Sequence, residues 1–138
     1  DDPNHGRRIF GHTVLSKIIQ KIVIFALYTI MRTKEANDIL NSAIESVETN
    51  GISAETLIPQ LQAAREHALQ ENDPLVTRAL RLAWQHLESN DAFDTELAEE
   101  IETPEENFAY FLALCVKSDN ALNRDELRVM TNQLQQLA

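Results

Sequence analysis

Thr13-Val14-Leu15-Ser16-Lys17-Ile18-Ile19-Gln20-Lys21-Ile22-Val23-Ile24-Phe25-Ala26-Leu27-Tyr28-Thr29-Ile30-Met31 is the stretch on which the fold turns. Its apolar residues follow helical spacing, and from Ile22 to Met31 no charge interrupts them. The spacing predicts a helix of about five turns over 14–31. A helix apolar on nearly every side needs neighbours around it, so the expected place for 14–31 is at or near the centre of a bundle. Its β-branched residues weaken local helix propensity, which makes packing the stabilising force. Two other fates are open to the same residues: an interface helix in an oligomer or a partner's groove, and a helix lying on a membrane surface. Lys17 and Lys21 stand at i, i+4 and share one face; with Ile22, Phe25 and Ile30 they form the candidate interface.

Working outward, charge is unevenly distributed. Residues 1–34 carry six Lys/Arg against two Asp, and residues 35–138 carry six Lys/Arg against twenty acids, so a segment at +4 precedes one at −14, the net being −10. Between 82 and 116 there are nine acids and no Lys or Arg. Few cations in the body argue against direct nucleic-acid binding, because phosphate affinity scales with Lys/Arg contacts. A basic protein partner fits an acidic surface better, and Asp94, Glu96, Glu99, Glu100 and Glu102 are its candidate contacts.

The apolar run is about half the length needed to span a bilayer, and Arg32 and Lys34 follow it with no small-residue cleavage site. Cys115 is the single cysteine; with no internal disulfide available, a reducing cytoplasmic setting is expected and the thiol reads as a small buried hydrophobe. Three Gly and four Pro in 138 residues leave little material for hairpins. The expectation is all-α: an irregular lead-in over 1–10, then one compact helical domain over 11–138 with six or seven helices.

Start and stop signals divide that domain. Thr33 either caps a new helix or is passed through by a helix continuing over Ile39, Leu40, Ala43, Ile44 and Val47 to a stop at Asn50-Gly51. Pro59 sits too deep for an unbroken helix from Ser53, so the expectation is a short turn over Ser53–Ile58 and a helix from Pro59 to Gln70. Asp73-Pro74 and Thr103-Pro104-Glu105-Glu106 each place a cap before a proline at the first helical position, and the second also forms a capping box. Between them a short helix is expected to carry Phe93, Leu97 and Ile101. Asn123 with Glu126 repeats the box before a stripe of Leu127, Met130, Leu134 and Leu137.

The connection Ser118-Asp119-Asn120-Ala121-Leu122-Asn123-Arg124-Asp125-Glu126 resembles, over about nine residues, the interhelical turn of TerB-like tellurite-resistance domains, and more loosely an EF-hand loop. Asn120 stands where that turn has glycine, and the alternating ligands of an EF-hand are missing. The same residues serve as a turn with a cap, so no metal is expected. His5, His12, His67 and His86 do not cluster, and no nucleophile elbow or phosphate loop is present. No cofactor and no catalysis are expected. The reading is a non-catalytic protein–protein interaction module, of adaptor, inhibitor, chaperone-like or immunity type. Its alternatives are a peripheral membrane or assembly-linked protein using the basic apolar helix, and a nucleic-acid mimic inhibiting a DNA-binding protein. A homo-oligomer joined through the candidate interface helix is also open.

Overall fold

A computed structural model describes residues 5–93 and 103–138, with side chains for 14–27, 34–93 and 103–138. The described residues are all-helical. Five helices appear in order: α1 (His5–Asn50), α2 (Ala54–Gln70), α3 (Pro74–Asn90), α4 (Pro104–Val116) and α5 (Ala121–Leu137). The chain divides into two compact units, Asp1–Arg32 and Thr33–Ala138.

Among the described residues the helix boundaries differ from the expected ones at two places. From His12 to Asn50 there is neither Gly nor Pro, so nothing ends α1 at Thr33, and its helix starts at His5, inside the stretch read as an irregular lead-in. At Pro59 the helix does not restart: α2 runs from Ala54 with the proline inside it. The bond lost is the one to the Glu55 carbonyl, four residues back, and both residues are exposed, so the loss falls on the solvent side of the helix. Leu57 and Leu61, both fully buried, hold the two sides of Pro59 in one helix. The short helix expected between α3 and α4 falls outside the described residues, Phe93 excepted.

In the 33–138 unit the core is one contiguous cluster. The C-terminal part of α1 contributes Leu40, Ala43 and Val47 at helical spacing, and α2 contributes Leu57, Leu61, Ala64 and Ala68. Packing of α3 against α2 and α5, and of α4 against α5, brings in Leu80, Leu87, Phe108, Phe111, Leu112, Leu127, Met130 and Leu134. Leu69 and Leu137, which follow the apolar spacing of their helices, are exposed, and Leu82 is buried. Phe93 joins the end of α3 to the start of α4: its ring lies 4.8 Å from Phe108 and 5.7 Å from Phe111, with the His86 ring edge-on at 5.8 Å. Offset and edge-on rings complement each other's quadrupoles, which fixes orientation as well as burying area.

The turns are specified locally. Gly51, at φ +78°, ends α1 and donates its N–H to the Val47 carbonyl. Asp73 caps α3 through the Val76 N–H, and Thr103 caps α4 through the Glu106 N–H, with prolines at the first helical positions as expected. The cap of α5 is Asn120 rather than Asn123. Its side-chain oxygen accepts from the Leu122 and Asn123 N–H groups, so the helix begins three residues early.

Candidate functional site

Two places carry chemistry, one in each unit. In the 1–32 unit it is α1 itself. Val14, Leu15, Ile18, Ile19, Ile22, Val23, Ile24, Phe25 and Leu27 are all exposed, from 41% at Val14 to 72% at Phe25. None of the described side chains of 14–27 is buried. At 100° per residue, Ser16, Lys17, Gln20 and Lys21 share one side of the first turns, and Val14, Leu15, Ile18, Ile19 and Ile22 the other. Beyond Lys21 the polar side disappears, because Ile22 to Leu27 place apolar groups at every azimuth. Lys17, Lys21, Ile22 and Phe25 thus sit together on one exposed helix, while the Ile30 side chain lies outside the described residues. The five acidic candidates, Asp94, Glu96, Glu99, Glu100 and Glu102, also lie outside them.

In the 33–138 unit the chemistry gathers at Asp73. Arg124 grips its carboxylate with two bonds, Nη1 to Oδ2 at 3.0 Å and Nη2 to Oδ1 at 3.1 Å, and Nη1 also donates to the Ser118 carbonyl at 3.1 Å. This fork ties the first turn of α3 to the α4–α5 connection and to α5. Burial pushes the Asp73 carboxyl upward, but Arg124 and the Val76 and Leu75 N–H groups outweigh it and hold the group below its ordinary value. A cavity of about 440 Å³ adjoins the pair, with Asn37, Glu71, Ser118 and Asp119 in its polar wall and Cys115 in its apolar one. Burial, with the Asp73 charge second, raises the Cys115 thiol far above neutrality, so it stays protonated and packs as a hydrophobe. The turn at 118–126 is thus spent on structure: Asn120 caps, Asn123 donates to the Lys117 carbonyl and Arg124 clamps. Among the described residues no group of three or more His, Cys, Asp or Glu is placed to hold a metal ion. His67 lies 3.9 Å from Glu35, and His86 packs on Phe93.

Asp73 combines a helix cap with an ion pair, and the two are separable. Asp73→Ala is expected to cost about 2 kcal/mol of bundle stability, about 1 from the cap and the remainder from a partly exposed pair. Asp73→Asn should recover the cap share, as read from urea melts. Because the folded carboxyl titrates below its reference of 3.8, its contribution is present above that pH and is lost as pH falls through the folded value. The Asn variant should therefore show a shallower loss of stability below about pH 4 than the parent.

Comparison of the chain with protein-family descriptions, with curated proteins and with solved structures finds no match. The sequence pointed to Lys17, Lys21, Ile22 and Phe25, and it pointed to Asp73 only as a cap. The Arg124 partnership bridges 51 residues and leaves no local spacing signal.

Proposed function

We propose that this chain is a non-catalytic protein–protein interaction module whose docking element is the N-terminal part of α1, carried by an acidic helical bundle. The observation that supports this is the exposure of Ile22, Ile24 and Phe25, at 62%, 66% and 72%. Apolar surface of that extent drives association. The partner is a helical protein with an apolar cleft and carboxylates at its rim. A helix on a membrane surface keeps a polar face toward water, and residues 22–27 have none. Among the described residues no helix is long and apolar enough to cross a membrane. A second copy of this same helix suits it less well, since two of them side by side each bring a net +4 over residues 1–34. Lys17 and Lys21, both exposed, would meet the acidic rim and steer the encounter.

Calcium-loaded calmodulin, whose cleft receives basic apolar helices, serves as the probe. The full chain should bind it with a Kd of about 1 μM or tighter, weakening as salt rises. It should bind anionic vesicles more weakly in co-sedimentation. Strong vesicle partition with no binding to the probe would assign the helix to a lipid surface, and binding to neither would remove the docking role.

A further inference from the structure

In an acidic body, the few cations should be found beside carboxylates. Residues 35–138 hold only Arg65, Arg78, Arg81, Lys117, Arg124 and Arg128 against twenty acids. Arg124 pairs with Asp73 and Arg128 with Asp125. Arg65, Arg78 and Arg81 pair with no described carboxylate; instead all three line one cavity of about 430 Å³ between the end of α2 and the start of α3. None has an acid three or four residues away on its own helix. Three like charges around one space repel one another unless an anion enters it.

The surroundings hold these groups without neutralising them. Arg78 Nη2 donates to the neutral Asn132 side-chain oxygen at 2.9 Å, which fixes the guanidinium from α5 and leaves its other donors available. Arg65 Nε is buried with no acceptor among the described residues, and so is Trp84 Nε1; both residues line an adjoining cavity of about 390 Å³. Two carboxylates stand nearby. Asp73 lines the arginine cavity but is engaged by Arg124, and Glu66, in the wall of the adjoining cavity, is exposed. Leu69, exposed although it follows the apolar spacing of α2, and Pro74 give the arginine cavity an apolar side.

We propose that this cavity binds a small phosphate monoester, its phosphoryl oxygens held by Arg65, Arg78 and Arg81 and its organic part against Leu69 and Pro74. Guanidinium forks match the geometry of phosphate oxygens, and three of them suit a dianion. The space is an open surface groove, wide enough to admit a phosphoryl group from solvent. Three cations in an acidic body do not make the extended row that a nucleic-acid backbone requires.

The probe is phenyl phosphate, titrated into the full-length chain at about 150 mM salt, with inorganic phosphate and benzoate in parallel. Arginine Nε–H and tryptophan indole resonances report the site. Saturable shifts at Arg65, Arg78, Arg81 and Trp84 are expected, with phenyl phosphate tighter than either comparator. Arg78→Gln and Arg81→Gln should each weaken binding about tenfold at unchanged melting temperature. Arg128→Gln, at an exposed arginine on α5, should have no effect. Saturable binding of phenyl phosphate should also raise the parent's melting temperature and not that of an Arg78→Gln/Arg81→Gln double variant. Non-saturating shifts that sodium chloride reproduces, or equal loss in Arg128→Gln, would overturn the site. Benzoate binding as tightly as phenyl phosphate would overturn the phosphate assignment. Aspartates at Ile22 and Phe25 should leave this titration unchanged, so the cavity and the docking helix stand or fall separately.

Discussion

Replacing Ile22 and Phe25 together by aspartate is expected to lower affinity for the calmodulin probe about 100-fold while leaving the bundle's melting temperature where it was. Burying an Ile or Phe completely yields about 1.5–3 kcal/mol. These two are 62% and 72% exposed, so enclosure by a partner has about 1–2 kcal/mol to recover from each. Their combined loss, about 3 kcal/mol, corresponds to about two decades in Kd. Stability should not follow, because substitutions at exposed positions away from caps and cores stay within about 0.5 kcal/mol. Isothermal titration and differential scanning calorimetry on the same preparations read the two quantities. A melting temperature lowered by many degrees would show that the helix is covered by the protein itself, and the docking assignment would then fail.

The opposite pattern is expected at Phe108. Its side chain is fully buried, with the Phe93 ring 4.8 Å away at 68°. Phe108→Ala removes a ring from a packed cluster and should cost about 4 kcal/mol, from lost burial and the cavity left behind. For a unit of this size that is about 15–30 °C in melting temperature. The same substitution at exposed Phe25 should change the melting temperature by no more than about 2–4 °C. Phe108→Leu, which keeps most of the volume, should recover over half of the loss. Urea melts with an unchanged slope would place the effect in stability rather than in denatured-state compactness. A cost under about 1 kcal/mol would mean that the aromatic cluster is loosely packed and that Phe93 does not join α3 to α4. Below its lowered melting temperature, the Phe108 variant should still bind the probe, since α1's exposed residues are outside that cluster.

Much of the architecture was legible because its signals are local. A cap followed by proline at the first helical position places the starts of α3 and α4, and Asn50-Gly51 places the end of α1, since each depends only on backbone groups within a turn. Periodicity does not decide burial at Leu69 and Leu137, which follow the apolar spacing but lie exposed at the last turns of their helices. Local signals misled at Pro59, where one lost hydrogen bond at an exposed carbonyl costs less than packing Leu57 and Leu61 returns.

The sequence by itself determined that this protein is helical, where four of its five described helices end or begin, and that its cations and its longest apolar run are concentrated at one end. Each follows from composition or from interactions within a few residues. Tertiary structure alone decided that Ile22 to Leu27 are exposed, that Arg124 grips Asp73, and that Arg65 joins Arg78 and Arg81 around one cavity. The physical reason is the same in each case. Periodicity records how apolar a helix is but not whether anything covers it, and a pairing across 51 residues, or a cluster drawn from two helices, is set by how helices pack and not by spacing along the chain.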